Sequence, residues 1–226
     1  MSHCYFVTGT STEVGKTLIG TGLLVCANEA GLKTAAFKPL ASGCVLTEHG
    51  WRNDDALALQ AAVNTGQSYE EINPVALEPA IAPHIAAALA GREVTAEGLA
   101  DLSRAPLARG EFVLIEGAGG WRVPINRHEN FSELPKLLNI PVIMVVGMTL
   151  GCLSHALLTA EAIVHDGLKL AGWVANAIEA DMPYYRENVD TLIERLDAPL
   201  LGEVPHFPHP LDKTQVAKHL DFNLLI

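Results

Sequence analysis

The run Gly9-Thr10-Ser11-Thr12-Glu13-Val14-Gly15-Lys16-Thr17 lies between an apolar stretch and a second apolar, helix-like one. That placement constrains the fold more than the residue string does. An apolar strand over residues 4–8 delivers the chain to a loop, and residues 15–28 continue as a helix. A loop wrapped this way aims several backbone N–H groups and the positive end of a helix dipole at one point, which suits a polyphosphate. Lys16 adds a mobile positive charge toward β- and γ-phosphates, and Thr17 adds a hydroxyl suited to Mg²⁺. Five residues, not the usual four, separate Gly9 from Gly15. The strand before, the helix after and Val14 nonetheless favour a nucleotide site, for ATP or a close relative, over an ordinary strand–helix turn.

Beyond this unit the chain alternates between short apolar runs and helical segments. Strands are expected at 34–37, 112–115, 141–146, 170–175 and 199–204, and helices near 55–63, 82–91, 95–108, 154–166 and 184–196. Pro83 suits the first turn of its helix and Thr95 the N-cap of the next. Residues 41–53 read as a polar loop and 66–80 as irregular. Apolar strands without alternation, separated by helices, indicate an α/β fold. The expected architecture is a doubly wound, mostly parallel sheet with helices on both faces, of the phosphate-loop NTPase type, in one domain spanning 1–226.

Composition narrows the function further. Apolar residues make up 49% and charged residues 18%, so the chain folds around a core and is not disordered. A net charge of −11 argues against nonspecific binding to nucleic acid or an anionic membrane, because there is no excess of Lys and Arg to displace counterions. Cys4, Cys26, Cys44 and Cys152 are scattered without C-x-x-C spacing and read as small core residues in a reducing compartment. With no secretory h-region and no run of about eighteen apolar residues, the expectation is a soluble, cytoplasmic protein.

In an open parallel sheet, ligands gather at the carboxyl ends of the strands. Lys38, Glu116 and Asn176 all follow strands there, on the same edge as the phosphate loop. Lys38 reads either as a solvated strand-end lysine or as a second cation for a transferring phosphate. Asp55 opens a helix, where a carboxylate serves as a cap or dipole partner, but Thr17, Asp55 and Glu116 also form a sensible oxygen set for Mg²⁺. Glu116 is followed by Gly117, Ala118, Gly119 and Gly120, which leave room for a ligand against the backbone. Asn176 is either a turn former or an amide matched to the paired edge of adenine. The helix start at 149–154 reads as an ordinary strand–helix turn or as an anion site.

Together these segments resemble the dethiobiotin synthetase family. The matching pieces are residues 9–17, Phe37-Lys38-Pro39 with Ala41-Ser42-Gly43, Arg52-Asn53-Asp54-Asp55-Ala56 and Asn73-Pro74. They continue with Ala82-Pro83-His84-Ile85, Glu116-Gly117-Ala118-Gly119-Gly120-Trp121, Leu150-Gly151-Cys152, His155-Ala156 and Gly172-Trp173-Val174-Ala175-Asn176. The resemblance implies an ATP- and Mg²⁺-dependent cyclo-ligase of biotin biosynthesis. Its substrates would be 7,8-diaminopelargonic acid and CO₂. It further implies that Lys16, Lys38 and Thr12 act on the reacting groups, and that Thr12 and Ser42 hydrogen-bond a carbamate. Glu13, Val14, Gly15, Lys16, Thr17 and Leu18 would wrap the phosphates, with Gly117, Ala118 and Gly119 beside them. Thr17, Asp55 and Glu116 would hold the metal; Asn176, Ala177, Pro205, His206 and Phe207 would form the base pocket. A homodimer is implied, in which Gly151, Cys152, Leu153 and Ser154 of one subunit meet the substrate carboxylate held by the other. Ser11, Thr149 and Ser154 depart from the family pattern, which favours aspartate, a basic residue and asparagine there. A paralogue with a shifted substrate would show such changes.

A different class, the switch ATPases of cell division and plasmid partition, shares the fold and the Val-Gly-Lys-Thr end of the loop. Their loop carries a lysine where this chain has Ser11, and the membrane helix or basic DNA-binding surface they often add is missing from the sequence.

Overall fold

A computed structural model describes residues 3–207 and 213–226. From the start of the chain, the central elements are β1 (His3–Gly9), α1 (Lys16–Glu29) and β2 (Thr34–Phe37). Small elements follow: β3 (Leu40–Ala41), β4 (Val45–Thr47), β5 (Gly50–Arg52), α2 (Asp54–Gln60), α3 (Tyr69–Ile72) and β6 (Val75–Ala76). The fold then continues through α4 (Pro83–Leu89), α5 (Ala96–Arg109), β7 (Phe112–Glu116) and α6 (Glu133–Leu138). It closes with β8 (Val142–Gly147), α7 (Cys152–His165), β9 (Leu170–Asn176), α8 (Tyr185–Arg195), β10 (Leu200–Val204) and α9 (Lys213–Ala217).

Six strands form one sheet in the order β10-β9-β8-β1-β7-β2, with every neighbouring pair parallel. β7, β8 and β9 are buried along their whole length, as strands covered on both faces must be. One face packs Tyr5, Val7, Leu114 and Val145 against Ile19, Leu23 and Leu24 of α1 and Leu59 of α2. The other packs Phe6, Ile115, Met144 and Trp173 against α5, α7 and α8 through Leu99, Ala156, Ile163 and Leu192. The doubly wound sheet is the expected one. Because β1 lies between β7 and β8, the chain leaves it toward one edge and later returns to build the other. That reversal opens a crevice at the strand ends.

The differences from the sequence reading are local. The stretch read as a loop, 41–53, carries the β4–β5 hairpin, in which Val45 pairs with Arg52 and Thr47 with Gly50. The irregular stretch 66–80 contains α3, closed by a reciprocal capping box between Ser68 and Glu71. It also contains β6, which pairs in parallel with β3. Helix α6 was not expected, and α2 ends at Gln60, short of residue 63. α7 begins two residues before Ser154 because Gly151, at φ 97°, turns the chain into it directly.

The last segment covers the outer side of α1. Gly22 leaves room for Val216, whose Cγ1 would lie 2.8 Å from a side chain there. Phe222 meets Phe112 edge-on at 5.0 Å between ring centres. The Tyr5 hydroxyl donates to the Leu225 carbonyl, and Asp221 N–H donates to Leu201 O at 2.6 Å.

Candidate functional site

The phosphate loop is fixed by one apolar wedge. Val14 is 4% exposed and presses on two glycines: a Cβ at Gly9 would stand 2.5 Å from its Cγ2, and one at Gly147 2.8 Å from its Cγ1. The loop is therefore anchored to the ends of β1 and β8 by packing. Glu13 (φ 61°) and Gly15 (φ 90°) both adopt the left-handed conformation. Successive backbone turns of this kind gather N–H groups into an anion-binding concavity. Glu13 holds this conformation with a side chain, a cost of the kind that collects at binding loops. From the end of β9, Asn176 Nδ2 donates to Val14 O at 2.9 Å, so its amide braces the loop. A side chain at Gly15 would sit 2.3 Å from that nitrogen.

Beside the loop, four elements bring charge together. Lys38, just past β2, is 3% exposed, and Glu116, at the end of β7, is 1% exposed. Lys38 Nζ lies 2.5 Å from Glu116 Oε1 and 2.8 Å from Asp55 Oδ2, the latter at the start of α2. Thr17 Oγ1, in the first turn of α1, donates to the same Glu116 Oε1 at 2.8 Å. Among the described residues, Glu116 Oε2 is buried without a hydrogen-bond partner. Burial alone would push the Lys38 pKa down, but the Glu116 and Asp55 carboxylates outweigh it and hold the ammonium above its ordinary value. Burial likewise opposes the ionised form of Asp55, and Lys38 overrides it, holding that carboxyl below its ordinary value. Lys16, 8% exposed, is pushed down by burial and by the Lys38 charge, against the pull of Glu116.

The turn that delivers Asp55 is built by its neighbours. Asn53, not Asp55, caps α2, accepting from Ala56 N–H at 3.3 Å. This leaves the Asp55 side chain free to face Lys38. Asn53 N–H donates to the Tyr69 hydroxyl at 2.8 Å. That hydroxyl donates to Asn73 Oδ1 at 3.1 Å, and Asn73 Nδ2 donates to Lys38 O at 2.7 Å. Tyr69 and Asn73 thus position both Lys38 and the Asp55 turn. The sequence reading gave neither a role at the site, although Asn73-Pro74 was among the matching segments.

The resulting cleft, of about 420 Å³, is lined by Thr12, Glu13, Gly15, Lys16, Thr17, Leu18, Lys38, Ser42, Asp55, Ala118 and Gly119, together with Ala41 and Asn53. These eleven sequence-assigned residues come together, and Ala41 and Asn53 are additions. Val14 and Gly117 act from behind the wall: a side chain at Gly117 would strike Phe6 Cζ at 2.8 Å. Ala177, Pro205 and His206 line a separate hollow of about 430 Å³ with Glu179, Met182, Tyr185 and Glu203. Phe207 stacks edge-on against His219 at 5.8 Å. Gly151, Cys152, Leu153 and Ser154 do not line the cleft of their own chain; Cys152 is buried at the start of α7. The cysteines are free, and burial pushes the Cys4 and Cys26 thiols up to about 12 and about 11, so they are inert at neutral pH.

Comparison with known proteins agrees with this geometry. A family model described as an AAA domain matches residues 3–213. The ATP-dependent dethiobiotin synthetase BioD of Cellvibrio japonicus is 52% identical over 222 residues, covering 98% of this chain and 97% of that one. The protein of the same name from Pseudomonas paraeruginosa is 55% identical, with the same coverage. Among solved structures, a ParA family ATPase from Chlorobium tepidum superposes with a TM-score of 0.60 at 11% identity, covering 100% of this chain and 99% of the other. The septum site-determining protein MinD from Pyrococcus horikoshii gives 0.57 at 17%, covering 98% and 94%. At such identities the structural likeness establishes the phosphate-loop fold alone, and the switch-ATPase reading gains nothing from it. Half-identity over nearly the whole length establishes more: this chain belongs to the ATP-dependent dethiobiotin synthetase family.

Proposed function

We propose that the chain, as a single phosphate-loop domain, closes the ureido ring of dethiobiotin from 7,8-diaminopelargonic acid, CO₂ and ATP. One amine takes up CO₂ as a carbamate, releasing a proton. A carbamate oxygen attacks the γ-phosphorus, expels ADP and leaves a carbamic–phosphoric anhydride. The second amine attacks the carbonyl carbon, and phosphate and a proton depart as the five-membered urea forms. Holding both amines on one substrate makes this last attack intramolecular, which removes most of its entropic cost.

The single observation that carries the reading is the convergence of Lys16, Thr17, Lys38 and Asp55 on one cleft, with Glu116 buried behind it and bonded to Lys38 and Thr17, so that four separate elements meet. Lys16 and Lys38 would stabilise charge on the transferring phosphoryl group. Thr12 and Ser42 would hydrogen-bond the carbamate. Residues 13–18 would wrap the phosphates, with Ala118 and Gly119 across the cleft. Asn176, Ala177, Pro205, His206 and Phe207 would shape the base site. The Asn176 amide group already serves Val14, which leaves its Oδ1 to accept from a base amine.

Mg²⁺ fits the donors present. Thr17, Asp55 and Glu116 offer only hard oxygens, and among the described residues Glu116 Oε2 is buried without a hydrogen-bond partner. Among the described residues no group of three or more His, Cys, Asp and Glu is suited to a metal. Thr17, Asp55 and Glu116 would hold the ion together with oxygens of the bound phosphates and water. Bound there, Mg²⁺ would offset charge on the β- and γ-phosphates.

A homodimer would bring a second copy's Gly151, Cys152, Leu153 and Ser154 to the substrate carboxylate. Leu150, 99% exposed, and Leu158, 62% exposed, flank that helix start and suit such an interface. No described helix is long and apolar enough to cross a membrane.

The test is phosphate release from Mg·ATP and bicarbonate, with and without the diamine, and mass-spectrometric detection of product. Diamine-dependent release matched by dethiobiotin is expected. Hydrolysis indifferent to the diamine, with no cyclic urea, would overturn the reading.

A further inference from the structure

The charged cluster holds a feature that phosphate binding alone does not require. Of the three side chains proposed as metal donors, both carboxylates converge on one ammonium group, and the hydroxyl bonds to one of those carboxylates. Lys38 Nζ contacts Asp55 Oδ2 at 2.8 Å and Glu116 Oε1 at 2.5 Å, and that Oε1 also accepts from Thr17 at 2.8 Å. Lys38 thus stands where a cation shared by these oxygens would stand. The site is buried on the Lys38 and Glu116 sides, at 3% and 1% exposure. A buried carboxylate without a counter-charge is costly, so some cation must be there before any metal arrives.

We propose that Lys38 is a resident cation that holds the donor set in place and excludes free divalent ions, yielding it only when metal and nucleotide arrive together. The proposal rests on Thr17, Asp55 and Glu116 being the metal donors.

The charge balance explains why nucleotide is needed. A divalent ion entering alone would put two positive charges beside the Lys38 ammonium, with Lys16 on the same cleft wall and only two carboxylates to balance all of them. The triphosphate brings several negative charges, so the same ion then enters at no net repulsion. Once displaced from Glu116, Lys38 stays anchored through its backbone by Asn73, so its head swings over a short arc. Ser42 lines the same cleft, and a carbamate held there is the anion this freed ammonium can reach. Metal–nucleotide loading and creation of the anion site for the second substrate become one event.

Two measurements test this. In the first, electron paramagnetic resonance follows binding of Mn²⁺ alone to the wild-type chain and to Lys38→Met, and binding of Mn²⁺ with a non-hydrolysable ATP analogue to the wild-type chain and to Asp55→Asn. Lys38→Met should bind free Mn²⁺ at least about tenfold more tightly than wild type, since a competing charge a few ångströms away has gone. Equal affinity in the two would overturn the proposal. In the second, which needs no variant at the cluster, the Lys38 ammonium signal is followed by ¹⁵N NMR in the wild-type protein. It should shift with Mg²⁺ plus a non-hydrolysable ATP analogue and stay put with Mg²⁺ alone. A signal that moves fully with Mg²⁺ alone, or does not move with the pair, would also overturn it. Failure of the underlying site looks different: Asp55→Asn would then leave Mn²⁺–nucleotide binding unchanged.

Discussion

At the scale of single residues, the site depends on one backbone conformation and one ion pair. Gly15 combines a φ of 90° with an Asn176 nitrogen 2.3 Å from where a Cβ would stand. Gly15→Ala must pay for a left-handed L-residue, about 1–2 kcal/mol, and push the brace aside. Nucleotide affinity should fall at least about tenfold, as titration calorimetry would show; an unchanged affinity would mean that the loop geometry is not what holds the phosphates. The Lys38–Asp55 pair makes a pH prediction. Asp55 is held below its ordinary 3.8, so its stabilising contribution is complete above that value and fades as the pH falls through the folded-state pKa. Lys38 is held above 10.5, so its contribution is complete below that value and is lost as the pH rises through the folded-state pKa. Asp55→Asn should therefore lower stability in denaturant unfolding at neutral pH, and the deficit should shrink as the pH drops below 3.8. A deficit that stays constant with pH would remove the ion pair as its cause. Lys16, Thr17, Lys38 and Glu116 were legible from sequence because strand ends and a Gly-Lys-Thr loop announce them. Tyr69 and Asn73 were not, because their role comes from a hydrogen-bond relay across segments that no periodicity links.

At the scale of elements, what the sequence revealed tracks length and burial. All six strands of the sheet and the helices α1, α2, α4, α5, α7 and α8 were readable because their apolar patterns are sustained between turn signals. The elements missed are all short. The β4–β5 hairpin is exposed along Val45, Leu46 and Thr47, so it shows no buried-face pattern. α6 carries Pro135 within six residues. α3 did leave a sign, Ser68 followed three residues later by Glu71, the capping-box spacing that marks a helix start. The C-terminal segment offers the stability prediction at this scale. Phe222 is 8% exposed and stacks on Phe112, so Phe222→Ala should cost about 3 kcal/mol in chemical denaturation. A loss under about 0.5 kcal/mol, the size of an ordinary surface substitution, would mean that the segment rests on the sheet without holding it.

At the scale of the whole molecule, the acidic chain confines its buried cations to one cleft: Lys16 and Lys38 are the two lysines among the buried charged residues described. The apolar residues at the head of α7 lie elsewhere, on Leu150 and Leu158. Leu158→Glu should convert the proposed dimer to monomers in sedimentation analysis and raise the KM for the diamine while sparing nucleotide binding. An assembly state indifferent to that charge would place the interface on another surface.

The contact between Tyr5 and Leu225 spans 220 positions of sequence, and with it the outer cover of α1 arrives from the far end of the chain. During synthesis the nucleotide-loop helix emerges early, yet its flank at Gly22 has nothing to meet until Val216 and Leu220 follow. For most of translation this protein therefore presents a sticky, half-finished face to the cell. A chaperone that holds nascent apolar surface would still find α1 open after the last strand of the sheet has been made.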